Sequence, residues 1–430
     1  MSTPTENQNS PSLAIEIPLI HTEDGQTNST LNLSKFLSRL ETFLTLFGYC
    51  QSSFVSLVLS WISFLLLGIV LPVFLIKLSA SAKFDKYQIN TFEFQILVFQ
   101  SLSAAISLLC ISHNLRKYGV RNFLFVDRFH GHSKEFHQDY ADKIYEFFKL
   151  LAIWVSPCLF LKIAREVFRL IYVHHDPLWE SAAILTGLIV SWTYSTIIYL
   201  SGCALFNLLC NLQVVHFDNY GKLLEKDMDV LVYIEEHIRL THHLSKISHR
   251  FRIFFIFELL VVTASQIVAL FQTTGNKTII NLVNGGDFLI SSVAELVGLI
   301  ICLHAAAKTT HRAQGVSSVA SKWHALVTCT SSNSNTDLEA PSTGGPLRAS
   351  YSQSDLQSVD YVPLPTNSQL SSSSQSFNMR QSFVAYLQSN AGGFSVFGWM
   401  IDRPLINTIF FLEISFVMFV LGKTLIYTPN

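Results

Sequence analysis

Charge is scarce in this sequence. Asp, Glu, Lys and Arg make up 14% of its 430 residues, against about 25% in an ordinary soluble domain. Half of the residues are hydrophobic, and the mean hydropathy is +0.37. So little charge cannot cover a water-facing surface, and much of the chain is expected to face lipid. Neither sign dominates: the net charge is -1 and the pI is near 6.9. There is no basic field to draw nucleic acid. A basic-then-apolar leader is lacking, so no cleaved signal peptide is expected. The seven cysteines have no zinc-like spacing and read as reduced, mostly buried small residues. The histidine groups His237, His242, His243, His249 and His130, His132, His137 lack cysteine partners, and no metal is expected. Glycine-rich phosphate loops, nucleophile elbows and zinc-protease helices are missing. No enzymatic activity and no cofactor are expected.

Long apolar runs are what the sequence does have. Seven stretches approach or exceed the roughly 20 residues needed to cross a bilayer. They cover residues 52–78, 92–113, 147–172, 181–210, 251–272, 288–307 and 404–426. The 34 Phe residues suit lipid-facing and helix-packing surfaces. The fold expected is an all-α membrane protein with seven transmembrane helices and the lipid bilayer as its first partner.

The basic residues orient these spans. All of the 29 Lys and Arg residues but Lys77, Lys83, Lys86, Lys162, Arg165, Arg169, Lys277 and Lys423 fall on one side. That side is the cytoplasm if the N-terminus is cytoplasmic and the C-terminus extracellular. The sequons at Asn28 and Asn32 then face the cytoplasm, and Asn276 is the glycosylation candidate.

The segments between spans differ in character. Residues 1–30 form a polar, disordered cytoplasmic N-terminus. Residues 31–50 carry Phe36, Leu37, Leu40, Phe43, Leu44 and Phe47 at helical spacing, which predicts an amphipathic interfacial helix. Residues 51–310 hold spans one to six, with helical extensions into the cytoplasm near 211–250. Residues 311–376 are rich in Ser, Thr, Asn, Gly and Pro and read as a disordered cytoplasmic loop, with phosphorylation of its serines plausible on composition alone. Residues 377–390 form a short cytoplasmic helix. Residues 391–430 are an entry segment and span seven.

Ionisable groups inside a membrane usually face a bundle interior or water, which makes them functional candidates. Lys162, Arg165 and Arg169 share one face of span three, beside Glu166. One reading is a basic-lined pocket for a polar or anionic ligand; the other is snorkelling and pairing. Span four is rich in hydroxyls, including Tyr194 and Tyr199, which suit either a ligand cavity or helix packing. Span six offers Glu295 beside Ser291, Ser292, Gly298 and Cys302. Span seven has two stripes, because each residue advances about 100°. Thr408, Ser415 and Gly422 share one face; Glu413 lies on roughly the opposite one. Either is a candidate pore lining.

The layout and the last span together resemble one family. Ile401-Asp402-Arg403 is similar to the apolar-Asp-Arg entry of the last span in insect gustatory and odorant receptors. Ser415-Phe416 stands where those receptors have Thr-Tyr, and five apolar residues follow, Val417 to Leu421. Gly422-Lys423 departs from their Gln-Phe, so ion selectivity is not carried over. The chain resembles these receptors and their gustatory receptor-like relatives, in particular the plant branch, known mainly as a domain of unknown function. The resemblance implies a homotetramer with each seventh span lining a shared pore. It implies an intersubunit anchor at the cytoplasmic ends of spans four to seven. It also implies a pocket for a small-molecule ligand in the outer half of spans two to six. The expected function is a ligand-gated, cation-permeable channel in the plasma membrane. The alternatives are a non-channel seven-helix receptor or scaffold, and a transporter.

Overall fold

The computed structural model describes residues 23–79, 86–124, 134–172, 178–224, 230–275, 282–333 and 377–426. In chain order these form α1 (Glu23–Leu46), α2 (Phe54–Phe64), a π-helical stretch (Leu65–Val70), α3 (Leu71–Ser79), α4 (Lys86–Phe123), α5 (Lys134–Tyr172), α6 (Leu178–Leu223), α7 (Val230–Gly275), α8 (Leu282–Asn333), α9 (Phe377–Ser389), a hairpin of β1 (Ser395–Val396) and β2 (Trp399–Met400), and α10 (Arg403–Ile426). Among the described residues seven segments are long and apolar enough to cross a bilayer: α2 to α3 together, α4, α5, α6, α7, α8 and α10. The chain is a multi-pass integral membrane protein. Large apolar side chains line its outside, such as Phe160 at 72% and Phe271 at 67% exposure, as lipid contact requires.

Burial separates the centre of the bundle from its edge. The most apolar stretch of α6 is 83% buried, and that of α10 is 17% buried. The serines of α6 and α4 hold the first span to this centre. The Ser191 hydroxyl donates to the Leu67 carbonyl at 2.7 Å, and Ser101 to Gly68 at 3.0 Å. Both acceptors lie in the π-helical stretch, where the wider turn frees carbonyls from the α-helical ladder.

Three helices are much longer than a bilayer is thick. At 46, 46 and 52 residues, α6, α7 and α8 extend roughly 70–80 Å at 1.5 Å per residue. Only about 30 Å of that is hydrocarbon. The remainder of α8 corrects the loop expected over 311–376, because residues 311–333 are helical. Ala313, Val316 and Ala320 are buried on one face of it. Trp323 stacks edge-on with Tyr233 of α7 and Phe383 of α9, each at 6.3 Å between ring centroids. Residues 334–376 lie outside the described residues.

α1 is the second difference. It begins at Glu23, inside the segment expected to be disordered. Its stripe of Leu33, Leu37, Leu40 and Leu44 is buried, and Phe43 meets Phe147 and Phe148 of α5 at 5.9 and 5.6 Å. The apolar face of α1 therefore packs on the bundle, where an interfacial helix would have turned it to lipid. Residues 1–22 lie outside the description.

The hairpin delivers the chain into α10. Phe397 and Gly398 between its strands both have positive φ, 48° and 88°, which is the pattern of a type I′ turn. The Arg252 guanidinium lies 5.0 Å from the centre of the Phe397 ring. Asp402 then caps α10, accepting a hydrogen bond from the Leu405 N–H at 3.1 Å. The Ile401-Asp402-Arg403 entry thus has a local structural role in addition to its resemblance.

Candidate functional site

Among the described residues, two of the cavities lie within the bundle, toward the end opposite α9. The first encloses about 450 Å³ including its open mouth, and α3, α4, α5, α6 and α8 all contribute to its lining. Its polar wall is a charge cluster built by three helices. α5 turns Lys162, Arg165 and Glu166 inward because i, i+3 and i+4 share a helical face. α4 supplies Glu93, and the first turns of α8 supply Asp287. Arg165 bridges Glu93 at 3.0 Å and Asp287 at 3.8 Å and also pairs with Glu166. Lys162 pairs with Glu166 at 3.2 Å and with Asp287. All five side chains are buried.

This corrects the expectation of a basic-lined pocket. Lys162 and Arg165 do line a cavity, and they share it with three carboxylates. The side chain of Arg169 and the sequon at Asn276 lie outside the described residues. Glu93 and Asp287 went unnoticed in the sequence because each stands at the edge of an apolar run, where a charge is unremarkable. Only the packing of α4 and α8 against α5 brings them to Arg165.

A second cavity lies nearer the middle of the bundle, and Gln100 lines both. Its space, open solvent included, is about 220 Å³, and it is lined by Gln100, Ser103, Thr196, Tyr199, Ser291, Ala294 and Glu295. The Gln100 amide donates to the Thr196 hydroxyl at 3.0 Å, and the Tyr199 hydroxyl to the Glu295 carbonyl at 2.7 Å. Gly298 lets the Tyr199 ring approach α8 so closely that any Cβ there would collide with it. Tyr194 belongs elsewhere. Its ring faces Phe47 at 6.5 Å, because five residues of helix turn it about 140° from Tyr199.

α8, which carries Glu295, packs against both α7 and α10. Glu413 is 1% exposed and accepts a hydrogen bond from the Thr263 hydroxyl of α7 at 2.5 Å. With Val417 and Val420 it forms the face that α10 turns to its own bundle. The other stripe points away. Thr408 and Ser415 are exposed and Gly422 half-buried. Both hydroxyls donate to their own helix, at the Pro404 and Phe411 carbonyls. Among the described residues no group of three or more His, Cys, Asp or Glu side chains is placed to hold a metal ion.

Residues 35–412 match the family described as Protein of unknown function (DUF3537). The chain belongs to that family. No curated protein matches it. Two solved structures share the fold of this DUF3537 protein. Both are of the insect olfactory receptor OR5 from Machilis hrabei. One is the receptor alone, with TM-score 0.56, and the other is its complex with eugenol, with TM-score 0.54. In each case identity is 11%, and the match covers 91% of this chain and 99% of the receptor chain. The DUF3537 chain therefore has an insect chemoreceptor-like fold.

Proposed function

We propose that this DUF3537 protein is a chemoreceptor-like, ligand-gated channel, permeable to cations and homotetrameric, with α10 of each subunit lining a central pore. The observation that carries the reading is the division of α10 into two faces. Glu413, Val417 and Val420 are committed to the bundle, which leaves the Thr408/Ser415/Gly422 face for a shared axis. The two neighbouring cavities supply a ligand pocket in the half of the bundle opposite α9, with Lys162, Arg165, Tyr199 and Glu295 on its walls. α8 lines both cavities and packs against α10, so a ligand that shifts α8 acts on α10. The olfactory receptor of the same fold is a protein solved with eugenol, which agrees with a small organic ligand. The C-terminal end of α10 is extracellular in this reading, and the membrane is the plasma membrane. The reading assigns no catalytic role to the chain.

Phe411 and Met418 flank Ser415 at 74% and 61% exposure. Such bulk suits lipid or helix packing as well as a pore, and it favours a non-channel receptor as the second reading. The test is purified protein in a planar bilayer under a salt gradient. The channel reading expects currents whose reversal potential lies on the cation side. Silence at every voltage, with and without candidate ligands, contradicts it and favours the receptor without a pore.

A further inference from the structure

α4 and α7 pack against each other, and each carries an outer stripe that changes character along its length. On α7 the side chains of Lys246, Arg250, Ile253, Phe257 and Leu260 share one face, because steps of three, four or seven residues return to nearly the same side of a helix. Lys246 and Arg250 are half-buried; Ile253, Phe257 and Leu260 are exposed. On α4 the same spacing joins Leu102, Leu109, His113 and Arg116, all exposed, with exposed Lys117 beside them. Both stripes run from apolar to basic. Residues 94–123 and 237–257 contain neither Asp nor Glu, so neither stripe carries a carboxylate.

The two changes occur at one level. The Asn114 amide of α4 reaches the Arg250 carbonyl of α7 at 3.5 Å. The Arg250 guanidinium lies 3.8 Å from the centre of the Tyr118 ring, and Lys117 Nζ lies 5.4 Å from it. Both are inside the ~6 Å range of a cation–π contact, so one ring gathers a cation from each helix. Gly119 follows with φ 71° and ψ 158°, a conformation that suits glycine. Beyond it Phe123 packs on Phe251 at 6.0 Å, and Arg121 stays exposed. The exposed apolar side chains mark the hydrocarbon, and the basic ones stand at its headgroup boundary. Lys and Arg there attract anionic lipid. Arg116, Lys117, Arg121 and Lys246 together outnumber the charge of a simple acidic headgroup. A headgroup with several phosphates meets them at once, and a guanidinium pairs with phosphate through two parallel hydrogen bonds.

We propose that the junction of α4 and α7 binds an anionic phospholipid with a phosphorylated inositol headgroup, its phosphates against Arg116, Lys117, Arg121 and Lys246 and its acyl chains along Leu109, Ile253 and Phe257. The lipid comes from the surrounding leaflet, the cytoplasmic one in the orientation proposed above. The site is separate from the two cavities and needs no pore.

The test uses the purified full chain in an uncharged detergent and three probes: dioctanoyl phosphatidylinositol bisphosphate, dioctanoyl phosphatidylserine and free inositol trisphosphate. Native mass spectrometry and thermophoresis read binding at either face of the protein, so the outcome does not depend on orientation. The inositol lipid is expected to bind at least about tenfold tighter than either other probe. Lys117→Gln with Arg121→Gln is expected to weaken it roughly twenty-fivefold, about fivefold for each charge. Both side chains are exposed, so thermal unfolding is expected to stay unchanged. Lys222→Gln with Lys322→Gln removes the same charge from exposed positions on α6 and α8 and is expected to leave the affinity as it is. Equal loss in the two double variants overturns the site in favour of a general electrostatic field. Equal affinity of phosphatidylserine overturns the inositol headgroup, and equal affinity of inositol trisphosphate overturns the lipid. Binding by none of the three overturns the whole proposal. No current is read, so a protein that never conducts and binds the inositol lipid upholds this inference while the channel reading fails.

Discussion

Arg165→Leu is expected to destabilise the folded protein by about 3–5 kcal/mol, the usual cost of removing one partner from a buried ion pair. Arg165 is the hub of its cluster, in reach of Glu93, Glu166 and Asp287. Without it Glu93, Glu166 and Asp287 lose the guanidinium they share, at a buried site. The loss extends past one contact, because the cluster ties α4, α5 and α8 together. Thermal unfolding in detergent measures it. The decisive control is Arg165→Leu with Glu166→Gln. Removing a carboxylate along with the guanidinium restores charge balance, so the double variant is expected to be more stable than Arg165→Leu alone. If the two variants melt together, the damage is lost packing of the long side chain, and the electrostatic account of the cluster fails.

Ser415→Trp is expected to abolish current while leaving the protein folded. Ser415 is exposed and its hydroxyl bonds only to its own helix at Phe411. Substitutions at such positions usually change stability by no more than about 0.5 kcal/mol. In a tetramer with this face on the axis, four indoles would close and dewet the pore. Glu413→Gln gives the contrast. Its side chain packs beside Thr263 of α7, away from that face, so unit conductance is expected to persist. Conduction through Ser415→Trp with loss in Glu413→Gln would reverse the assignment of the two stripes. Bilayer recordings of equal amounts of reconstituted protein read both variants.

Much of this was legible in the sequence, for identifiable reasons. Seven spans follow from composition, since lipid leaves a broad apolar signal that needs no knowledge of neighbours. The Lys162–Arg165 face of α5 follows from helical spacing. The partners of these two residues do not, because Glu93 and Asp287 are brought to them only by packing of α4 and α8. Tyr194 and Tyr199 sit in one hydroxyl-rich run, and only the orientation of α6 separates them. Span seven showed two stripes, of which the resemblance favoured the Thr408/Ser415/Gly422 face. Which stripe faces the bundle follows from the contact between Glu413 and Thr263, which joins residues far apart in sequence. The extension of α8 was hidden for another reason. Its buried stripe of Ala313, Val316 and Ala320 consists of small residues inside a Ser- and Thr-rich stretch. Composition there speaks for disorder, and the aromatic contacts of Trp323 speak for helix.

The most direct measurement of the central claim is thiol block of current at positions along α10. Thr408→Cys and Ser415→Cys are to be compared with Val417→Cys and Val420→Cys, using a charged, membrane-impermeant thiol reagent. Wild type serves as the background. Burial pushes the Cys50 thiol above its usual range, and the thiolate is the reactive form. Current through Thr408→Cys and Ser415→Cys is predicted to fall on addition of the reagent, and current through Val417→Cys and Val420→Cys to stay. Block at the valines with no block at Ser415 would contradict the account.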